Sequence, residues 1–474
     1  MGGRASPLRD CKRRQTVPRY HVRITGSNYD AMADLIRKYK VDVTTHTVTK
    51  IDSGYRVDAH ANDGQIRRLE SAGYAVERYE NADKAGKERQ REVRKVTKQV
   101  GRAAETLHVA TASQYLNVVE VEQALAAVAA PPNDSFTKLI PLPNKTWEKR
   151  RCNALKIGKG SGANRAGIYF LGGVHAREWG SPDILISFAQ QLTQAYRSNT
   201  GITLGGKNFT ASQIKSIVNT KDVYLLAQVN PDGRNYSMTK EAMWRKNRRP
   251  APAGHTQAKC VGVDLNRNYD FLWDFTKYFD TNSPVANSKD PCDHDVYVGP
   301  KAVSEPETKN AVWMLEQNPN VRYFIDIHSY SEDILYAWGD DVDQTSNPGM
   351  SFHNAAFDGK RGIANDTIYK EYIDPADKTT VVKLAKVMSK AIKAVRGRVY
   401  TVSQSMSLYP TAGASDDYAY SRHIIDPSKP KVFSYTIEWG SANNPTPFHP
   451  PYSEMRKIIW EITSALLAFC IAAS

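Results

Sequence analysis

Four short apolar runs, each leading into polar residues, constrain most strongly what this chain of 474 residues can fold into. Runs of this length, bounded by glycine and turn residues, are typical of buried strands. Because the strands of an open α/β sheet bring polar side chains to one carboxyl edge, the runs predict a single sheet with a site along that edge. The runs occupy residues 168–171, 223–230, 321–330 and 432–439.

The turn after the first run carries the first candidate ligands. Gly172 and Gly173 allow the backbone to change direction sharply. His175 and Glu178 follow, just before a predicted helix at residues 181–192. An imidazole and a carboxylate at this spacing on one turn can converge on a metal ion. By itself the pair also fits an exposed polar turn, so a metal site needs a further ligand.

A third ligand and a candidate base stand at the ends of two other runs. A catalytic zinc ion takes about three protein ligands and leaves one position for water. His328 ends the apolar part of the third run, and Glu438 ends the fourth in the same manner. Together with His175 and Glu178, they predict a site for one Zn²⁺ per chain at the sheet edge.

Residues 115–474 carry seven motifs in a distinctive order. The motifs are His175-Ala-Arg-Glu-Trp179, Asn230-Pro-Asp-Gly233, Trp244-Arg-Lys246, Gly262-Val-Asp-Leu-Asn-Arg-Asn268, His328-Ser-Tyr330, Tyr409 with Gly413, and Glu438. This set resembles the zinc metallocarboxypeptidases of the pancreatic A/B type. The resemblance implies a zinc-dependent exopeptidase that hydrolyses the C-terminal peptide bond of peptides and proteins.

The resemblance also implies roles in the reaction. The three ligands would hold zinc, which can lower the pKa of a bound water from about 15.7 to about 7. Glu438 would be the general base, although a glutamate at a strand end can also form a structural ion pair. Arg245 would stabilise the negative charge of the tetrahedral intermediate. Asp264 resembles the acid that orients the zinc-binding His175.

A clamp for the substrate's free carboxylate would make the enzyme an exopeptidase. Arg267, next to Asn266, matches the family's clamp, because a planar guanidinium binds a carboxylate through two parallel bonds. Tyr409 matches the phenolic cap of the family. Arg177 and Tyr330 resemble the residues that line the next subsite inward.

Residues 409–417 align without gaps with the loop that lines the family's specificity pocket. Asp416 falls where B-type enzymes have aspartate and A-type enzymes have an aliphatic residue, whereas Asp417 matches an acid common to both. A carboxylate at the pocket floor would pair with a cation, so we expect a preference for C-terminal Lys and Arg. The alternative is that Asp416 faces solvent or pairs with Arg422. Further pocket walls are expected from Gly339, Asp340 and Gln404.

A small domain is predicted in front of this enzyme. Alternating and helical apolar spacings within residues 20–84 give the order βαββαβ, which is typical of a ferredoxin-like α+β sandwich. Many carboxypeptidases of this type carry a pro-segment of related architecture in this position. The fold class is therefore α/β, with a mixed, mostly parallel sheet flanked by helices, preceded by a ferredoxin-like domain.

A connector rich in lysine and arginine follows the small domain. Such a segment is typical of a solvated helix or linker, and exposed basic chain is a good substrate for a trypsin-like protease. We expect an activating protease to cut it between Lys87 and Arg102. The predicted arrangement is a basic tail at residues 1–19, the small domain at 20–84, the connector at 85–110 and the catalytic domain at 111–474.

Composition excludes other classes of function. The formal net charge is +14, but basic residues are spread along the chain without a nucleic-acid motif, so we expect no nucleic-acid partner. No apolar run reaches the ~18 residues of a membrane span. The nearest, residues 458–473, is interrupted by Glu461 and Thr463 and predicts a core-packed helix.

The cysteines bear on localisation. Five cysteines are too few for a disulfide scaffold. Cys260 and Cys292 occupy positions that resemble a family disulfide, and a bridge there implies an oxidising compartment. We therefore expect a secreted or extracytoplasmic protein, although residues 1–18 contain no apolar core like that of a secretory signal.

Two alternatives remain at this point. A related zinc amidohydrolase acting on cell-wall or other modified peptides would keep the same carboxylate clamp. A binding module with a dead site would have lost ligands, whereas all three ligands and Glu438 are present here. The sequence therefore favours the exopeptidase.

Overall fold

The computed structural model describes most of the chain. The predicted tail up to residue 16, with Cys11, and residues 96–108 of the connector lie outside the described part. The described residues are 17–44, 48–95, 109, 112–160, 165–407 and 409–474.

The small domain has the predicted ferredoxin-like arrangement. Its elements are β1 (Arg19–Gly26), α1 (Tyr29–Arg37), β2 (Asp42–Val43), β3 (Thr49–Ile51), β4 (Gly54–Asn62), α2 (Asp63–Ser71) and β5 (Ala75–Asn81). The central strand β1 pairs antiparallel with β4 on one side and β5 on the other. The sequence pattern predicts one strand at residues 41–50, whereas the structure has two short strands, β2 and β3, which both pair with β4.

Local sequence explains where the two helices of this domain begin. The Asn28 side chain accepts a hydrogen bond from the backbone N–H of Ala31, and the Asn62 side chain accepts one from the backbone N–H of Gln65. Side-chain caps of this kind satisfy N–H groups that the first helical turn leaves unpaired. Beyond the cap of α1, Met32 and Leu35 are fully buried on the predicted apolar face.

The large domain, residues 112–474, is built on an eight-stranded mixed sheet and two short ribbons. Its strands are β6 (Thr137–Pro141), β7 (Asn153–Ile157), β8 (Ala166–Gly172), β9 (Ile202–Leu204), β10 (Lys207–Phe209), β11 (Lys221–Leu226), β12 (Val321–His328), β13 (Asp333–Tyr336), β14 (Asp343–Gln344), β15 (Glu371–Tyr372), β16 (Thr401–Gln404) and β17 (Phe433–Glu438). The sheet order is β16-β13-β17-β12-β8-β11-β7-β6. The four central strands are parallel and correspond to the four predicted runs, so their carboxyl ends share one edge.

Helices cover both faces of this sheet. Those described after the small domain are α3 (Ala82–Arg89), α4 (Val118–Ala129), α5 (Gly180–Ser198), α6 (Ala211–Thr220), α7 (Pro231–Thr239), α8 (Phe275–Tyr278), α9 (Pro306–Gln317), α10 (Pro375–Arg396), α11 (Ser415–Ile425) and α12 (Tyr452–Ala472). Along β8, Ile168 and Phe170 join a cluster that contains residues of α5 and α12. The intervening Tyr169 and Leu171 join another with residues of α9. Burial on both faces explains why these strands read as continuous apolar runs.

Three predicted segments differ in the structure. The sequence Asn-Pro-Asp-Gly at residues 230–233 is typical of a turn, but Asn230 caps α7 and Pro231 occupies its first turn, where no N–H is required. Helical spacing predicts a helix at residues 301–317, whereas the observed helix begins at Pro306. The start of the connector is helix α3, and its Ala85 and Gly86 are buried rather than solvated, because the small Gly86 packs closely against the large domain.

The structure also shows the state of the four described cysteines and the packing of the last helix. Cys260 and Cys292 form the expected disulfide, while Cys152 and Cys470 are buried thiols. Helix α12 packs against α5 and α10, as the core-packed prediction required. Among the described residues, no helix is both long enough and apolar enough to span a membrane.

Candidate active site

Polar residues from the carboxyl ends of the central strands meet in a cavity of about 960 Å³. In the parallel pair β12–β17, His328 lies directly opposite Glu438. Strand β8 ends at Gly172, and the turn that follows carries His175 and Glu178. The predicted meeting of these four residues at one sheet edge is therefore realised in the fold.

His175, Glu178 and His328 converge on one point. Glu178 Oε1 lies 2.7 Å from His175 Nδ1, and Glu178 Oε2 lies 3.1 Å from His328 Nδ1. The two imidazole Nδ1 atoms are 3.0 Å apart. All three side chains are buried, with relative exposures of 5%, 1% and 1%. Two imidazoles and one carboxylate are the donor set of many catalytic zinc sites.

The second nitrogen of each histidine faces a carboxylate. His175 Nε2 is 3.2 Å from Asp264 Oδ1, and His328 Nε2 is 2.9 Å from Asp326 Oδ2. A carboxylate at Nε2 holds the proton there and directs the Nδ1 lone pair outward. Two such lone pairs facing each other repel unless a cation lies between them, so this arrangement fits a metal ion.

Asp264 links the first histidine to Arg245. The Arg245 Nε donates to Asp264 Oδ2 at 3.0 Å, while the other carboxylate oxygen faces His175. Burial opposes the charge of this carboxyl group, but Arg245 and His175 outweigh it and hold the pKa of Asp264 below its ordinary value. The guanidinium of Arg245 is thus fixed at the cavity wall beside the three candidate ligands.

The expected carboxylate clamp also lines the cavity. Arg267 donates through Nε to Ala286 O at 2.8 Å and through Nη1 to Asn266 O at 2.7 Å, which holds its guanidinium in place. The Asn266 side chain accepts the N–H of Ser415 at 2.8 Å. Gly413 has φ of +71°, and a Cβ there would lie 2.4 Å from Arg267 O. Glycine is therefore required for the loop to approach the clamp this closely.

Asp416 lies at the wall of the same cavity and is 3% exposed. Its Oδ2 accepts hydrogen bonds from Ser405 at 3.0 Å and Thr436 at 3.1 Å. Arg422 pairs instead with Glu316, at 3.0 Å. The position of Asp416 therefore matches neither the solvent-facing alternative nor the pairing with Arg422.

The residues around Asp416 differ partly from expectation. Asp417 accepts the Gly339 N–H through both oxygens, at 3.0 and 3.1 Å, and burial followed by the charges of Asp416 and Asp340 raises its pKa well above its ordinary value. Gln404 does not line the cavity, because its amide donates to Trp338 O and Asp341 O. Ser405, the next residue, takes that place.

The small domain covers the remaining residues that are expected to bind the substrate, which are Arg177, Tyr330 and Tyr409. The Asp42 carboxylate accepts hydrogen bonds from both terminal nitrogens of Arg177, at 2.7 Å from Nη1 and 3.2 Å from Nη2. Thr44 Oγ1 lies 2.6 Å from the hydroxyl of Tyr330. Tyr409 packs into the core cluster of the small domain, and burial, opposed by Arg267, raises its pKa to about 12. The segment after α1 thus occupies the mouth of the cavity.

Sequence reasoning missed two groups of residues at this site. Asp326 lies two residues before His328 on one strand, so both side chains point to the same face, and this spacing could have identified it. Glu241 and Asp295, at the outer end of the cavity, belong to irregular segments that carry no periodic signal.

Sequence comparisons relate the chain to known carboxypeptidases. Human carboxypeptidase B is 30% identical over 295 residues, which are 62% of this chain and 55% of that protein. Carboxypeptidase B of the crayfish Astacus astacus is 31% identical over 301 residues, 63% of this chain and 78% of that protein. The chain thus spans about half the length of several curated mammalian relatives it matches.

Solved structures share the whole arrangement, including the small domain. Carboxypeptidase A from Helicoverpa armigera superposes with a TM-score of 0.69 at 18% identity, covering 96% of this chain and 98% of that one. Thrombin activatable fibrinolysis inhibitor gives 0.66 at 21% identity, covering 96% of this chain and 100% of the other. At these identities the likeness establishes the fold.

A match to a protein-family model identifies the family of the chain. The Peptidase_M14 model, described as zinc carboxypeptidase, matches residues 121–464. This range contains all seven motifs and the cavity's three candidate metal ligands. Because the match covers well over half of the chain, this protein is a member of the zinc carboxypeptidase family.

Proposed function

We propose that this protein is a zinc-dependent exopeptidase that removes C-terminal residues from peptides and proteins. The observation that carries the proposal is the convergence of His175, Glu178 and His328, each histidine backed by a carboxylate, beside a cavity that Glu438 also lines. The candidate ligands would hold one Zn²⁺. A bound zinc ion supplies Lewis acidity, which lowers the pKa of water and polarises a carbonyl.

The chain's own residues would divide the chemistry between them. Glu438 accepts a proton from the attacking water and delivers it to the amine that leaves. Arg245, held by Asp264, faces the negative charge that develops on the former carbonyl oxygen. Support for these roles comes from their common position at the cavity wall.

Cleavage at the chain terminus would follow from the clamp. Arg267 and Asn266 bind the free carboxylate of the substrate, and Tyr409 closes over it once the small domain has left. Arg177 and Tyr330 contact the residue next to the one removed. The contacts that these two side chains make with Asp42 and Thr44 support the assignment, because both side chains already bond to a chain segment that lines the cavity.

The proposed preference is for C-terminal Lys and Arg. Asp416 supports it, since a buried carboxylate at a pocket wall favours a cationic side chain and is costly to leave beneath an apolar one. The carboxypeptidase B relatives point in the same direction.

The small domain is proposed to hold the enzyme inactive until a trypsin-like protease cuts the connector. Its insertion of Asp42 and Thr44 into the cavity mouth supports this role. The Cys260–Cys292 disulfide supports a secreted or extracytoplasmic location, where such a protease would act.

The experiment is to incubate the protein, before and after limited trypsin treatment, with a library of peptides and with muropeptides. Release of single C-terminal residues, together with about one zinc per chain, is the expected result. The His328→Ala variant should lose both zinc and activity, while His353→Ala, which changes an exposed histidine outside the site, should lose neither. Turnover of muropeptides alone would favour the cell-wall amidohydrolase, and full zinc in His328→Ala would refute the ligand assignment.

A further inference from the structure

The outer end of the cavity contains a charged cluster that the proposed reaction does not use. Glu241 and Asp295 lie on either side of His294, whose Nε2 is 3.2 Å from Glu241 Oε1 and whose Nδ1 is 3.1 Å from Asp295 Oδ1. Both carboxylates line the cavity, with side-chain exposures of 19% and 18%. Neither belongs to the metal ligands or to the carboxylate clamp.

A guanidinium from the small domain already occupies this cluster. Arg19 Nη2 lies 3.7 Å from Glu241 Oε1, and Arg19 Nη1 lies 3.7 Å from Asp295 Oδ1. Arg19 Nη2 also donates to the carbonyl oxygen of Met243 at 3.3 Å. Asp83, which precedes the cut site in the connector, also lies near this guanidinium, with its Oδ1 3.7 Å from Arg19 Nη2. The large domain thus surrounds an arginine side chain, which is 13% exposed, with two carboxylates and one carbonyl, and His294 Nδ1 lies 3.4 Å from Arg19 Nη1.

Glu241 and Asp295 supply the carboxylate oxygens that face Arg19. Burial and the charge of Arg19 oppose a charge on His294, but Asp295 and Glu241 outweigh them and raise its pKa to about 9, so the imidazole is positively charged at neutral pH. His294 and Arg177, whose Nη1 lies 3.6 Å from Asp295 Oδ1, balance the charge of the two carboxylates. Removing Arg19 would leave Glu241 Oε1 and Asp295 Oδ1 without the contacts that they make with its guanidinium, at the wall of a cavity that both residues line.

The cluster adjoins the path proposed for the substrate. Asp295 Oδ1, which faces Arg19, also lies 3.6 Å from Arg177 Nη1. Arg177 is the residue assigned to the subsite next to the scissile bond. Both Arg19 and Asp83 precede the connector, so a cut between Lys87 and Arg102 separates them from Glu241 and Asp295. Cleavage would therefore open a cation-binding recess beside the substrate path.

We propose that Glu241, Asp295 and the carbonyl of Met243 form a subsite for a Lys or Arg side chain upstream of the residue removed. In the uncleaved chain Arg19 occupies this subsite in place of substrate. The inference rests on the proposed exopeptidase function and extends it. Combined with Asp416, it defines the substrate class as peptides with several basic residues at the C-terminus, such as those left by proteases that cut after basic residues.

The kinetic test uses trypsin-treated protein and peptides that share one C-terminal residue. Upstream positions carry Arg, Leu or Glu in turn. At one of the upstream positions, we expect kcat/KM to be roughly tenfold higher for the peptide with Arg than for the peptide with Leu. The kcat/KM of the peptide with Glu should be lower than that of the peptide with Leu. The Glu241→Gln variant should reduce the Arg-to-Leu ratio towards one. Asp270→Asn removes one exposed carboxylate outside the cleft and should leave that ratio unchanged.

A binding measurement separates this inference from the proposed function. In trypsin-treated Glu438→Gln protein, which is expected to bind peptide without turnover, fluorescence anisotropy gives the affinity for the same peptides. A tenfold tighter Kd for upstream Arg that disappears in Glu241→Gln supports the subsite even if no peptide is hydrolysed. Equal kcat/KM and equal Kd for upstream Arg and Leu would overturn it, while continued release of C-terminal residues would leave the exopeptidase function intact.

Discussion

Glu438 is the residue on which the proposed reaction depends most directly. Its replacement by glutamine keeps the size of the side chain but removes the ability to accept a proton. We expect Glu438→Gln to retain zinc and to lose turnover by about 10²–10⁴-fold, since this is the usual contribution of a general base. Steady-state kinetics and metal analysis on the same sample measure both quantities.

The control for this change is Glu70→Gln, an exposed glutamate in α2 of the small domain. It should keep both zinc and kcat. A kcat within a few-fold of the wild type in Glu438→Gln would show that another group takes the proton.

Asp416 decides the proposed preference for basic C-terminal residues. Asp416→Ile removes the carboxylate that accepts bonds from Ser405 and Thr436 and makes this wall apolar. We expect the ratio of kcat/KM for peptides ending in Arg to those ending in Leu to fall by at least about tenfold. A ratio that does not change would assign specificity to other residues of the pocket.

Glu307 links stability to pH, away from the cavity. Burial is the main cause that raises its pKa to about 8, and Asn247 donates to one of its oxygens at 3.0 Å. The folded state therefore holds a proton that the unfolded chain releases near its ordinary pKa of 4.5. This contribution to stability is fully present below pH 4.5 and is lost as the pH rises to about 8.

The corresponding prediction concerns Glu307→Gln, which cannot ionise and still offers Asn247 an acceptor. The wild type should lose free energy of unfolding between pH 5 and pH 8, and the variant should lose less. Urea unfolding at the two pH values measures the difference. Parallel pH dependence in both proteins would mean that Glu307 does not titrate in this range.

At the scale of elements, the loop before α11 controls the clamp. Gly413 and Gly397 both have positive φ, but a Cβ at Gly413 would collide with Arg267 O, whereas nothing lies within 4 Å of one at Gly397. An alanine in the left-handed region costs about 1–2 kcal/mol. We expect Gly397→Ala to lose about this much stability, and Gly413→Ala to lose more and to raise KM.

Thermal unfolding and steady-state kinetics on the two variants check this prediction. Because the strain of positive φ is common to both, the difference between them isolates the contact with Arg267. Equal losses of stability with an unchanged KM would show that the loop can move away from the clamp without consequence.

At the scale of the whole molecule, the two domains meet through polar contacts around the cavity and through the packing of Tyr409 against the core of the small domain. Arg177 pairs with Asp42, and outside the cavity Arg37 donates to Asn282 O at 3.0 Å and Arg23 to Asn443 Oδ1 at 2.9 Å. Such contacts hold a domain whose chain connection is intact, and weaken by mass action once the connector is cut.

We therefore expect cleavage of the connector to raise kcat/KM on peptides by more than about tenfold, because a covered state favoured by ~1.4 kcal/mol leaves only about a tenth of the molecules accessible. Assays before and after limited trypsin treatment measure the change. Asp42→Asn should raise the activity of the uncut chain in the same direction. Equal rates for cut and uncut protein would indicate a permanent docking domain instead.

The sequence by itself determined the four central strands, the metal-ligand candidates and most elements of the small domain, in which one predicted strand is divided into β2 and β3. These features depend on local properties: apolar run length, the spacing of His175 and Glu178, and motifs such as Gly262–Asn268 whose residues are close along the chain. Asn230 could also have been recognised as a helix cap rather than a turn, because asparagine followed by proline is favoured at a helix start.

The tertiary structure alone decided what lies across the cavity. Asp42, Arg19 and Glu241 approach their partners from positions far apart in sequence, and no local pattern around them indicates which residues they will face. The burial of Asp416 and the pairing of Arg422 with Glu316 were likewise open, because a charge's partner depends on which loops the fold brings within a few ångströms. Local patterns therefore identify strands and candidate metal ligands. Contacts between distant loops decide which charges pair and which residues cover the cavity, and these contacts form only after the chain has packed.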